Sequence, residues 1–310
     1  MVKEVRHINI AVTNRCNLRC LHCDIWREKP KIDIPLSVVN ELFDSKILHK
    51  NADVTLTGGE PFLHKNFKKL VRSIFKKSQN SLKTISTNGT LKDELLDLLD
   101  ESSTFLSKDF SLHISLDGVS RHDKQRSKSL KGIMNNIDLI KKLFPHVNVK
   151  LKFTITPINY NDIIPTFDYA RKNKLGFKIK LVENAKNYTN KINKKTFSFN
   201  KEMKKSIIRD LLSIYKRERG VNKGEAIFIK NTIEFLLKEN KKIVCKTPFN
   251  RIFIMPDGKV YSCVHFNSIG NLNNNNLIHI WNSRGAEQVR NKVKKEGCNR
   301  CVSYHGFNPC

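Results

Sequence analysis

The densest chemistry in the sequence lies near its start. Cys16, Cys20 and Cys23 fall in the stretch CNLRCLHC with spacing C-x3-C-x2-C, directly after an apolar run. Thiolates are soft ligands, and three on one loop can wrap a corner of a four-iron cluster while leaving the fourth iron open to an exogenous ligand. The same thiols would make a structural zinc knuckle if a remote Cys or His completed the set. A second group, Cys245, Cys263, Cys298, Cys301 and Cys310, reads C-x12-G-x4-C and then, after a gap, C-x2-C-x8-C. Four cysteines close a metal site, and a hairpin cysteine joined to a CxxC is also what a zinc ribbon uses.

Loops of this kind need rigid elements to aim them. Apolar, β-branched runs alternate with helix-patterned segments through the first 185 residues. Strands are expected at 7–12, 53–57, 82–87, 109–116, 148–156 and 177–182, with helices at 35–48, 66–77, 92–102, 130–144 and 160–173. Strand–helix units in succession imply parallel strands with right-handed crossovers. Six units are too few for the closed eight-stranded barrel, so the fold class is α/β, a partial (β/α)6 barrel. Function in such folds sits in the loops after the C-terminal strand ends, where TNRCNLRCLHC, TGGEP, STNGT and SLDG fall. Beyond residue 185 the pattern changes to a polar stretch, helices at 201–219 and 225–239, a β-hairpin over 251–263 turning at Pro256-Asp257-Gly258, and a helix near 277–293. The domain reading is therefore a barrel over 1–185, a linker with helices over 186–244, and a small β-hairpin/helix domain over 245–310.

Composition narrows the classes. The 310 residues are 39% hydrophobic and 28% charged, which permits a substantial core. No apolar run is long enough to span a bilayer, and the polar start lacks the apolar segment of a secretory signal. A cytoplasmic protein with reduced thiols is expected, so eight cysteines point to metal or redox chemistry rather than disulfides. The net charge of +28 is spread along the whole chain, without a basic tract interleaved with aromatics. A solvated basic surface is the favoured reading, with RNA or an anionic substrate kept as alternatives.

The C-x3-C-x2-C loop after strand one and GGEP after strand two together resemble the radical S-adenosylmethionine (SAM) superfamily, over residues 6–182. The resemblance implies that Cys16, Cys20 and Cys23 hold a [4Fe–4S] cluster whose open iron is chelated by SAM. Reductive cleavage then gives a 5′-deoxyadenosyl radical that abstracts a substrate hydrogen. It places His22 beside adenine, Gly58, Gly59 and Glu60 at the methionyl ammonium, and Asn88, Ser115 and Asp117 at the ribose hydroxyls or methionyl group. Arg126 is a possible carboxylate partner but is favoured as a surface arginine. Cys245, Cys263, Cys298 and Cys301, with IGNLNNNNLIHIW between them, resemble the SPASM or shorter twitch auxiliary-cluster extension. That implies a second [4Fe–4S] cluster, leaving Cys310 as a spare thiol or alternative ligand.

A four-cysteine cluster has no open iron and suits electron transfer, so the implied activity is a two-electron oxidation or a cross-link. The substrate class is a small molecule, sugar or nucleotide, or a peptide, and the electron donor a flavodoxin or ferredoxin. Some anaerobic sulfatase maturases carry an Asp directly after the hairpin cysteine; Val264 stands there, which argues against that activity. Candidates for a base or substrate contact are His113, His122, Asp123 and Lys152. The competing readings are a radical SAM enzyme modifying tRNA and a basic zinc-ribbon RNA-binding protein.

Overall fold

The computed structural model describes residues 4–78, 81–103, 106–183, 185, 197–238 and 245–302. Cys310 lies outside the described residues. Six strands, β1 (Val5–Ala11), β2 (Leu48–Thr57), β3 (Leu82–Thr87), β4 (Ser111–Ser115), β5 (Asn148–Ile155) and β6 (Gly176–Leu181), pair in parallel in chain order. The helices between them are α1 (Leu36–Phe43), α2 (Phe67–Lys77), α3 (Lys92–Ser102), α4 (His122–Arg126), α5 (Leu130–Leu143) and α6 (Ile163–Lys172). Each long helix presents one apolar stripe: α2 buries Phe67, Leu70, Val71 and Ile74, and α5 buries Ile133, Ile137 and Ile140. The sheet stays open, in line with the partial barrel expected from six units.

Two helices, α7 (Lys201–Glu218) and α8 (Lys223–Leu237), follow, each started by an asparagine whose side chain accepts a backbone N–H three residues on. α7 packs against α6, and α8 against β6. The chain then enters α9 (Thr247–Asn250) and β7 (Arg251–Ile254), which lies parallel to β1 with His7 opposite Arg251 and Asn9 opposite Phe253. β8 (Lys259–Tyr261) and β9 (Gly270–Asn271) add on antiparallel, so one nine-stranded sheet runs from β6 through β1 to β9. The C-terminal segment is thereby hydrogen-bonded to the first strand of the barrel. Among the described residues, no helix is long and apolar enough to cross a membrane.

Three expectations change. The helix anticipated over 35–48 ends at Phe43, because Ile47 is needed in the core and Leu48 pairs with Val5. The helix anticipated at 277–293 is two, α10 (Leu277–Trp281) and α11 (Arg284–Glu296). Ser283 adopts an extended backbone between them and caps the second through the Ala286 N–H. The short α4, within SLDGVSRHDKQR, has too little periodicity to be read from sequence.

Candidate functional site

The cysteine loop leaves β1 at Val12 and is held from four directions. Thr13 donates its hydroxyl to Asp33 at 2.6 Å, and Asn14 bonds Pro30 and Ile32, closing the loop's return path. From the end of β2, the Gly59 N–H donates to Thr13 O and the Glu60 N–H to Arg15 O, each at 2.7 Å. A side chain at Gly59 would overlap the Arg15 carbonyl, and Gly58 sits at φ +144° against Thr13. From β3, Asn88 donates to Asn17 at 2.8 Å while its own carbonyl oxygen accepts from Thr90. From α4, the Gln125 carbonyl accepts the Leu21 N–H at 2.9 Å. The Gly-Gly pair thus lets backbone meet backbone at the cysteine loop itself.

Glu60 is fully buried. Its carboxylate accepts from Thr87 at 2.7 Å, the Asn88 N–H at 2.7 Å and the Phe62 N–H at 3.4 Å. Burial nevertheless pushes its pKa up to about 7. With both oxygens engaged inside the protein, the side chain ties β2 to β3.

Asp117, at the end of β4, is also fully buried and accepts from the Thr154 N–H at 2.7 Å, from Gln125 at 2.6 Å and from Arg126. Burial alone would raise its pKa, but the Arg126 guanidinium holds it below the usual carboxylate range. Burial works against the Arg126 charge in turn, and the Asp117 and Cys20 charges outweigh it and push its pKa up. The expectation of a surface arginine is corrected: Arg126 is buried, and its NH1 donates to Cys20 Sγ at 3.9 Å. His22 Nε2 lies 3.8 Å from the same Asp117, and burial lowers the imidazole pKa to about 4.

The donor set fits an iron–sulfur cluster with a small-molecule ligand. Burial pushes Cys16 up to about 12 and Cys20 up to about 11, and the neighbouring thiols raise both further. Three thiols gathered where their thiolates repel one another are stabilised by the positive charge of bound iron. His22 Nδ1 is buried without a hydrogen-bond partner among the described residues, as expected for a group that faces a missing ligand.

Four of the C-terminal cysteines share a cavity. Cys245, Cys263, Cys298 and Cys301 all line one cavity of about 430 Å³ inside the open barrel. Burial pushes Cys263 up to about 12 and raises Cys245 and Cys301, with other thiols of the set adding to each. Cys301 also meets Glu183 and His265, all three donor atoms within 4.8 Å of one another. Burial opposes the Glu183 charge, but Lys180 at 3.0 Å and His265 hold its pKa low. The other cavity walls come from the inward positions of the strands, among them His7, Asn9, Asp53, Thr55, Ser86, His113, Lys152, Lys178 and Lys180.

Of the four candidates for a base or substrate contact, the structure brings two to this cavity. His113 and Lys152 line it. Burial lowers Lys152 to about 8, and it lies within electrostatic reach of both Lys180 and Arg126. His122 is buried elsewhere, bonded through its ring nitrogens to the Asp117 N–H and Ser129 Oγ. Asp123 is exposed and accepts the N–H groups of Ser129 and Leu130, which starts α5. Neither lines this cavity. Ser115 is half-buried at the end of β4 and pairs in register with Lys152.

Sequence reading missed Asn17, Gln125, Glu183, His265 and Arg251. One signal was available for the lysines: in LKF and FKIKL, Lys alternates with apolar residues in strands covered by helices. Such strands ordinarily read as apolar on both faces, so period-two lysine marks a polar interior.

A family model described as the radical SAM superfamily matches residues 10–170, and one described as an iron–sulfur cluster-binding domain matches residues 245–302. An uncharacterised protein of Methanocaldococcus jannaschii is 25% identical over 96% of this chain and 96% of its own length. The GTP 3′,8-cyclase of Helicobacter pylori (strain HPAG1) is 24% identical over 85% of this chain and 82% of its own. That of Synechocystis is 29% identical, but the match spans 55% of this chain and 52% of the relative. Among solved structures, Streptococcus suis SuiB bound to precursor peptide SuiA superposes with TM-score 0.70 at 17% identity, covering 99% of this chain and 72% of that one. Native anSMEcpe with bound AdoMet gives 0.69 at 17% identity, covering 96% and 93%.

Proposed function

The chain belongs to the radical SAM superfamily, and from that premise we propose that it oxidises or cross-links a small molecule, a sugar or nucleotide, or a peptide held in its central cavity. In this reading residues 1–185 cleave SAM, 245–310 carry the auxiliary site and 186–244 join them. When bound, the cluster on Cys16, Cys20 and Cys23 supplies the electron that cleaves SAM to a 5′-deoxyadenosyl radical, and the cluster on Cys245, Cys263, Cys298 and Cys301 accepts an electron from the substrate.

The observation that carries the reading is the placement of the cavity. The four C-terminal cysteines line it together with Lys152, which lies in the field of the Asp117–Arg126 pair, whose guanidinium donates to Cys20 Sγ. In our reading a molecule held there lies between the two thiol sets.

The chain's own residues hold and orient. In this reading His22, Gly58, Gly59 and Ser115 contact SAM. Glu60, Asn88 and Asp117 fix the loop that carries the thiols, through the bonds described above. Net two-electron oxidation transfers a hydrogen atom to the deoxyadenosyl group, an electron to the auxiliary site and a proton to a base. Lys152, which lines the cavity, is read as a substrate contact, with burial bringing its pKa to about 8. His113, the alternative, is deeply buried and cationic neighbours hold its pKa well below the ordinary value.

The iron–sulfur family match over 245–302 favours this reading over a zinc-ribbon protein. The eight cysteines suit a reducing compartment, the cytoplasm, with a flavodoxin or ferredoxin as electron donor. The test is anaerobic reconstitution followed by dithionite and SAM. 5′-Deoxyadenosine should be released by the natural protein and not by Cys16→Ala; its absence from the natural protein would overturn the proposal.

A further inference from the structure

We propose that the central cavity selects an anionic small molecule, one bearing phosphate or clustered carboxylate groups, and that Lys152, Lys178, Lys180 and Arg251 recognise it. The inference rests on reading this cavity as the substrate site. Parallel pairing sets Lys152 opposite Lys178 and Thr154 opposite Lys180, so the inward faces of β5 and β6 form a ladder of ammonium groups. Arg251 faces the same space from β7.

Carboxylates do not balance this ladder. Lys180 meets Glu183 at 3.0 Å, and Lys178 lies 3.9 Å from Glu225. Among the described residues Lys152 forms no salt bridge, and its pKa is depressed by burial and then by Lys180, Arg126 and Lys178. On the opposite side the Arg251 Nε is buried with no hydrogen-bond partner among the described residues. The cavity lining holds two acids, Asp53 and Glu183, against these cations and Lys83.

Desolvated like charges destabilise a fold. A solvated basic surface, which explains scattered lysines elsewhere, does not explain cations turned inward. A bound anion does, because Lys152 and the buried Arg251 guanidinium would each gain a charge-assisted hydrogen bond, with Lys178 and Lys180 adding to the field from less buried positions. A neutral peptide would bring no negative charge to Lys152 or Arg251. The volume of about 430 Å³, shared with the cluster that the four lining cysteines would hold, suits a small ligand and not a macromolecule.

The experiment uses the full chain, reconstituted anaerobically with SAM present. Inorganic tripolyphosphate and citrate are titrated by calorimetry and followed by thermal unfolding. One anion should bind at a single site and raise the melting temperature, the stronger of the two naming the phosphate or carboxylate source. Lys152→Met and Lys178→Met should each weaken that binding about tenfold, the loss of one charge-assisted hydrogen bond. Lys152→Met should also raise the melting temperature of the anion-free protein by removing a repelled charge, whereas a merely structural lysine would lower it.

Should either variant misfold, acylation mapping of the natural protein serves instead: the anion should shield Lys152, Lys178 and Lys180 but not exposed Lys131. No binding of either anion, binding unchanged in both variants, or shielding by a neutral peptide or tRNA alone would overturn the inference. 5′-Deoxyadenosine release is measured on the same natural preparation. Its failure would sink the radical SAM reading without altering the anion result, and release without anion binding would sink only this inference.

Discussion

Replacing Gly59 by alanine should dismantle the cysteine loop without touching a cysteine. An added Cβ would lie 2.7 Å from the Arg15 carbonyl carbon and 3.1 Å from that of Asn14, with the Arg15 oxygen closer still. Carbon pairs sit comfortably at about 3.5–4.0 Å, so the loop must retreat by about 1 Å. The Gly59–Thr13 and Glu60–Arg15 hydrogen bonds, each 2.7 Å, would then stretch to about 3.7 Å and cease to be hydrogen bonds. Losing two such bonds costs about 1–3 kcal/mol, and the overpacking itself about 1–3 kcal/mol. The expected destabilisation is about 2–6 kcal/mol, a large part of a typical domain's stability. Gly132 in α5 is the control, since a Cβ there meets nothing within 4 Å. Gly132→Ala should stabilise by up to about 1 kcal/mol through helix propensity. Urea unfolding midpoints and iron content after reconstitution report both effects. Full iron retention in Gly59→Ala, or an unfolding midpoint equal to that of the natural protein, would refute the idea that the Gly-Gly pair exists to seat the loop.

Other outcomes follow from the same geometry. Glu60 keeps a proton up to about pH 7 in the folded state but releases it near 4.5 when unfolded. Its contribution to stability is therefore complete below pH 4.5 and is lost as pH rises towards 7, by about 3 kcal/mol. Glu60→Gln does not titrate, so the difference between natural protein and variant should fall across that window; a flat difference would show that the buried carboxyl stays ionised. Arg126→Met leaves the Asp117 charge buried and unpaired, and should destabilise by about 3–5 kcal/mol in urea unfolding. Adding Asp117→Asn should recover much of the loss, and a fully additive double-mutant cycle would contradict the coupling.

What the sequence made legible divides along physical lines. The alternation of apolar strands and amphipathic helices is local information, and β3 and α3 came out at the residues expected. Helix 277–293 failed because the break at Asn282-Ser283 depends on a single capping serine. Among site residues, the cysteines were legible because thiol spacing carries their chemistry. Glu60, Asn88 and Asp117 were found, but sequence pointed them at a ligand. The structure turns their side chains onto Thr87, Asn17 and Arg126, partners 27, 71 and 9 residues away along the chain. Arg126 failed as a surface arginine because nothing local announces a buried carboxylate nine residues earlier. The cavity lysines were legible in their alternation, yet hidden by a chain that is rich in lysine everywhere.

The central claim is that one thiol set is open to SAM and the other is closed. Mössbauer spectra of the iron-57 reconstituted protein, with and without SAM, test it directly. About eight irons per chain are expected from two four-iron clusters, and SAM should alter the signal of one iron only. With Cys16, Cys20 and Cys23 all changed to alanine, about four irons should remain and SAM should change nothing. A SAM-dependent change in that triple variant, or zinc in place of iron at either set, would contradict the account.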